Sequence, residues 1–142
     1  MSHDEIDARV EKILRTYDTI TVVGASNHPE KPAHYVPDHM KSSGWRIIPV
    51  NVRGGTILGA TAYPTLAAVP EQVSFVNVFR PSEQTPDIAR QAVAAGASAL
   101  WLQLHIASEE ARRIAEDAGL IYVENRCLLV EQRRLQLNAP TG

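Results

Sequence analysis

Cysteine is nearly absent: Cys127 is the one thiol among 142 residues. A lone thiol closes no internal disulfide, so the chain is no disulfide-stapled scaffold. Such cysteine usage points to a reducing, cytoplasmic setting. Long apolar runs are missing as well. No stretch approaches the roughly 18 apolar residues that a spanning helix needs. The start, Met1-Ser2-His3-Asp4-Glu5, has neither the basic residues nor the apolar run of a signal peptide. Charge of one sign is not in excess: 14 basic against 16 acidic residues leave a formal net charge of −2. There is no basic stripe of the kind a nucleic-acid binder carries. Neither nucleic acid nor membrane is therefore an expected partner. The familiar nucleotide fingerprints are absent too, with no G-x-G-x-x-G and no glycine loop ending in G-K-[ST]. His3, His28, His34, His39 and His105 fall at no metal-ligand spacing such as H-E-x-x-H, so no metal site is expected.

What is present is a series of short apolar strands alternating with amphipathic helices. Ser2 with Glu5 fits a capping box, and Ile6, Val10, Ile13, Leu14 and Tyr17 share one helical face. Together they predict an N-terminal helix over about residues 2–17. Thr19-Ile20-Thr21-Val22-Val23 is a β-branched run stopped by Gly24, which reads as a buried strand. A turn-rich loop leads to a helix that begins near Ala33 and is closed by Gly44. That start keeps Pro37 in the first turn, where its missing N–H has no partner to lose. Trp45-Arg46-Ile47-Ile48-Pro49-Val50-Asn51 is the second strand and Ala62-Tyr63 a very short third. Further strands follow at about 73–79, 99–104 and 120–123, separated by helices capped by Ser82 or Thr85 and by Ser108. The tail over 138–142 reads as frayed.

This alternation predicts an α/β fold. The expected form is a Rossmann-like three-layer sandwich, one domain over residues 1–142, with a mainly parallel five-stranded sheet and an extra N-terminal helix. The expected strand order is 3-2-1-4-5, and ligands of such sheets bind at the carboxyl ends of the strands, where the order reverses. Residues 24–27, 51–55, 79–81 and 103–105 then surround one crevice.

The turn after the first strand carries Gly24, Ala25, Ser26 and Asn27. Glycine lets the backbone approach a ligand closely, and Ser26 and Asn27 add side-chain donors. A phosphate loop and a plain tight turn both fit these residues. The second strand ends in Asn51, with Arg53 beyond it. An NAD site wants an acidic residue there, whereas an arginine suits a phosphate on the ribose, as in NADP or coenzyme A. Phe79 ends its strand at the crevice, where packing on a base and ordinary core packing are both open. Trp101 reads as core.

With these residues in view, the chain resembles the small CoA-binding proteins, relatives of the CoA-binding half of the succinyl-CoA synthetase α-subunit. The resemblance rests on ordered blocks: Val22-Val23-Gly24-Ala25-Ser26, Lys31-Pro32-Ala33-His34 and Ile48-Pro49-Val50-Asn51. After them come Tyr63-Pro64-Thr65-Leu66, Asn77-Val78-Phe79-Arg80-Pro81, Trp101-Leu102-Gln103-Leu104 and Asn125-Arg126-Cys127. It implies coenzyme A or an acyl-CoA as ligand, lying across the strand ends. The implied contacts are Gly24, Ala25, Ser26 and Asn27, then Lys31 and Pro32, then Val50, Asn51 and Arg53, and finally Phe79, Arg80 and Pro81.

Two positions depart from the family. His105 stands where glycine is frequent, which would crowd the crevice, and Asn125 stands where aspartate is frequent, which removes a carboxylate. No catalytic residue is expected: acyl-CoA ligation runs through a phosphohistidine on a separate domain, for which this chain is too short. The expected role is a CoA-binding module, a carrier, a sensor or a partner of a CoA-dependent enzyme. An NAD(P)-dependent oxidoreductase and a regulatory domain with an empty crevice are the alternatives. Cys127 reads as a small buried hydrophobe or as a reactive thiol.

Overall fold

In the computed structural model, which describes residues 2–141, the chain opens with helix α1, His3–Thr16. The expected cap is in place: Ser2 Oγ accepts the Glu5 N–H at 3.2 Å, and Asp4 and Glu5 face the positive end of the helix dipole. Met1 and Gly142, the ends of the expected single domain, lie outside the described residues. The remaining elements follow in regular alternation: β1 (Thr19–Val23), α2 (Pro32–Ser42) and β2 (Arg46–Val50). A small antiparallel hairpin comes next, β3 (Thr56–Ile57) with β4 (Ala60–Thr61). Then come β5 (Phe75–Val78), α3 (Thr85–Ala94), β6 (Ala99–Leu102), α4 (Glu109–Asp117), β7 (Ile121–Val123) and α5 (Leu128–Leu135).

Five strands form one parallel sheet in the order β2-β1-β5-β6-β7. The segment expected as a third strand, Ala62-Tyr63, reaches the outer side of β2 but contributes one parallel bridge, Val50 to Tyr63. Tyr63 donates to the Pro49 carbonyl at 3.0 Å and accepts from the Asn51 N–H at 2.9 Å. Pro64 follows and has no N–H with which to extend the ladder. Position three of the expected order is thus a bridge, and β7 supplies the fifth strand at the opposite edge.

Helices cover both faces, which is why the strands are apolar without alternation. Ile20, Val22, Ile47, Phe75, Ala99, Trp101 and Val123 pack toward α1, α2 and α5. Val23, Ile48, Val50, Val76, Val78, Leu100 and Leu102 pack toward α3 and α4. Trp101 is wholly buried, and its indole N–H donates to the Arg126 carbonyl at 2.8 Å, which fixes it as core.

Helix α2 starts at Pro32, so Pro37 lies beyond the first turn rather than inside it. An amide at 37 would donate to the Ala33 carbonyl. That carbonyl instead accepts the Ser26 N–H at 3.2 Å, which is how the helix accommodates the proline.

The carboxy-terminal helix is tied to α1 by charge. Arg126 bonds Asp7 at 3.0 Å and also bonds Glu131, whose side chain is 5% exposed. Arg134 bonds Glu131 at 2.8 Å. The Arg126 hydrogen bond holds the Asp7 carboxyl below its ordinary pKa. Beyond α5, Ala139 donates to the Ser43 carbonyl at 3.0 Å, an anchor within the tail expected to fray.

Candidate functional site

The carboxyl ends of β1, β2 and β5 meet at Gly24. Its φ is +89°, a region that residues with a side chain rarely adopt. A Cβ there would stand 2.9 Å from Arg80 Cδ and 3.0 Å from the Phe79 carbonyl oxygen. The turn after β5 therefore runs directly across this glycine. The Phe79 N–H closes the contact, donating to the Val23 carbonyl at 2.9 Å.

The loop after β1 is held from within. Gly24 and Ala25 both donate to the Val50 carbonyl, at 2.9 and 3.3 Å, and Ser26 donates to Ala33. Ser26 Oγ accepts the His28 N–H at 3.0 Å, and residues 27–32 run exposed to the start of α2. The Lys31 carbonyl takes the N–H groups of His34 and Tyr35 at 2.9 and 3.0 Å.

Asn51 joins two of the loops. Its Nδ2 donates to the Ala25 carbonyl at 2.8 Å, and its Oδ1 accepts the Arg53 N–H at 2.8 Å. An aspartate here would set an oxygen against the Ala25 carbonyl. The absence of an acidic residue at the end of β2 therefore has a structural cause.

Beside this junction, on the α3 side of the sheet, lies a cleft of about 330 Å³. Of the residues expected as ligand contacts, Gly24, Val50, Asn51 and Arg80 line it. Arg80 brings a positive charge to its wall and donates from Nε to Gln84 at 2.9 Å. Ala25, Ser26, Asn27, Lys31, Pro32, Arg53, Phe79 and Pro81 belong to the same edge but do not line the cleft. Phe79 is half-buried against the core under α2, on the other face of the sheet. Pro81 caps the short turn Ser82–Gln84 before α3.

The cleft also takes residues that the sequence reading missed: Val52, Thr65 and the α3-side group Gln84, Asp87, Ile88 and Gln91. Gln91 Nε2 donates to Asp87 at 2.8 Å. Positions 84, 87, 88 and 91 recur at helical spacing on one face. That pattern was the available signal, but three polar residues out of four read as a solvated face.

His105 does not line the cleft, so the expected crowding does not occur. Its φ is +71°, its side chain is exposed, and its N–H donates to Asn125 Oδ1 at 2.7 Å. Asn125 is itself left-handed, at φ +56°, and donates its own N–H to the Ile106 carbonyl at 3.1 Å. The two departures are thus one contact: a positive φ where glycine would be unstrained, bonded by a side-chain oxygen that aspartate would also supply. His105→Gly is expected to raise unfolding free energy by about 0.5–1 kcal/mol, because left-handed strain outweighs the added freedom of the unfolded chain. Urea titration checks this as a higher midpoint at unchanged slope.

Cys127 stands at the amino end of α5, half-buried against the core, while the neighbouring Arg126 guanidinium is engaged by Asp7 and Glu131. Among the described residues no group of three or more His, Cys, Asp or Glu could hold a metal ion. Among the same residues no helix is long and apolar enough to cross a membrane.

Comparison with known proteins fits this geometry. Residues 18–133 match the family described as CoA binding domain. The chain is 33% identical over 123 residues to YneT, an uncharacterised protein of Bacillus subtilis, covering 87% of this chain and 91% of that one. It is 26% identical over 100 residues to acetate–CoA ligase (ADP-forming) II of Archaeoglobus fulgidus, which is 69% of this chain and 15% of the ligase. Among solved structures it is similar to a hypothetical protein of Pyrococcus horikoshii, with a TM-score of 0.87, 35% identity and 92% of each chain covered. The ordered sequence blocks, the sheet and these likenesses lead to one conclusion: the chain belongs to the CoA binding domain family.

Proposed function

We propose that the chain binds coenzyme A, free or acylated, across the carboxyl ends of β1, β2 and β5, with part of the ligand in the cleft beside Gly24, Asn51 and Arg80. The observation that carries this reading is the convergence of three loops on Gly24 next to a cleft with a cationic wall. Ser26, Asn27, Lys31 and Arg53 stand on the same edge with exposed or half-exposed side chains, suited to the diphosphate and the ribose phosphate. Asn51 counts against NAD, because its amide is needed by Ala25 and an acid cannot replace it without loss.

The chain acts as a cytoplasmic binding module, serving a CoA-dependent enzyme rather than carrying out ligation itself.

Thermal unfolding in the presence of ligands tests the reading. A ligand at a hundredfold excess over its Kd stabilises the folded state by about 2.7 kcal/mol. CoA is expected to raise the midpoint by several degrees, dephospho-CoA by less, and NADH and NADPH by nothing measurable. Stabilisation by NADPH but not CoA supports an oxidoreductase instead. Stabilisation by none of the four supports a domain with an empty crevice.

A further inference from the structure

Pro37 is a buried residue of α2 that helix propensity does not explain. Proline is the least favourable residue for a helix interior, since it removes a donor and its ring crowds the carbonyl four residues back. Here that carbonyl belongs to Ala33, and it receives the Ser26 N–H at 3.2 Å. The bond links α2 to the loop that follows β1. Through Ser26 Oγ, which accepts the His28 N–H at 3.0 Å, the hold extends along the loop. The segment from Gly24 to Ser26 therefore hangs on two carbonyls, Val50 on the strand side and Ala33 on the helix side.

We propose that Pro37 is a positioning residue for the ligand loop: because it has no N–H to offer the Ala33 carbonyl, it leaves that carbonyl to Ser26 alone and holds the loop in its binding shape before ligand arrives. The proposal rests on the reading of the site as a coenzyme A site. An ordinary residue at 37 would offer a second N–H to the same carbonyl. Ser26 would then share its acceptor with the helix ladder, and the loop would be held less firmly before binding, at a cost in affinity.

Pro37→Ala and Pro37→Val, made in the full chain, separate this role from packing. Both restore the amide, and valine also keeps apolar bulk at a buried position. The measurements are amide hydrogen exchange at Ser26 without ligand, the thermal midpoint, and CoA affinity by calorimetry. Expected are a midpoint equal to or above that of the wild type, Ser26 exchange about tenfold faster, and CoA binding about five- to tenfold weaker. A role in packing alone would lower the midpoint and leave the Kd of the folded fraction unchanged.

Unchanged Ser26 exchange, or unchanged CoA affinity in a folded variant, overturns the proposal. So does failure of both variants to fold, which would make Pro37 a packing residue; if alanine alone fails, valine gives the answer. Absence of CoA binding by the wild type overturns the binding reading itself and this proposal with it, and is recognised because it appears without any substitution.

Discussion

Gly24→Ala is expected to destabilise the fold by about 3 kcal/mol, a drop in melting midpoint on the order of 10 °C. Two effects add. At φ +89° any side chain is strained, at about 1–2 kcal/mol for a left-handed conformation. The new methyl also meets Arg80 Cδ at 2.9 Å and the Phe79 carbonyl at 3.0 Å. The Arg80 side chain can swing away, but the Phe79 backbone is fixed by its hydrogen bond to Val23 at 2.9 Å. Overpacking of this kind costs about 1–3 kcal/mol. The same shift opens the cleft wall, so CoA affinity falls with stability. Scanning calorimetry of the variant checks the first effect. A midpoint within a degree or two of the wild type would show that the turn after β5 is not seated on Gly24.

Asn51→Asp is the second large effect, and it separates fold from ligand. The substitution keeps an acceptor for the Arg53 N–H but removes the donor to the Ala25 carbonyl. Ala25 is 1% exposed, so its carbonyl is poorly placed to find water in exchange. An unsatisfied buried acceptor costs about 1–3 kcal/mol, and a carboxylate beside it adds repulsion. The negative charge also faces the phosphates of a bound coenzyme. CoA affinity is therefore expected to fall by more than about tenfold, beyond what the loss of stability accounts for. Asn51→Ala is the reference, since it loses the bond without adding charge. Paired thermal scans and CoA titrations of the two variants should rank wild type, alanine and aspartate in descending order. Equal affinity for alanine and aspartate would show that no phosphate lies near residue 51.

Much of the fold could be read before any coordinates, because its signals are local. The Ser2–Glu5 cap, the β-branched run at 19–23 and the Gly44 stop each act within a few residues. Tertiary arrangements were less legible. Ala62-Tyr63 read as a strand by composition, yet Pro64 and the hairpin before it leave one bridge. The sequence puts Pro37 in the first turn of its helix, because nothing in its pattern reveals that Ser26, in the loop before the helix, satisfies the Ala33 carbonyl.

The site divides in the same way. Gly24, Val50, Asn51 and Arg80 sit at strand ends, and strand ends are predictable. Asp87, Ile88 and Gln91 enter the cleft only because α3 packs beside β1 and β5. For Phe79 the sequence fits both core and ligand contact, and its half-burial under α2 follows from strand alternation with Phe75. Arg134 carries no local signal of its role: a buried Glu131 draws it into the contact between α1 and α5.

The central claim is that coenzyme A binds where the ends of β1, β2 and β5 converge. Titrating the isotope-labelled chain with CoA and following its backbone amide resonances tests this most directly. The account predicts saturable shifts gathered at residues 24–27, 51–53 and 80–91, with α1 and the amino ends of the strands unmoved. Shifts centred on those distant parts, or no saturable shift at millimolar CoA, would contradict it.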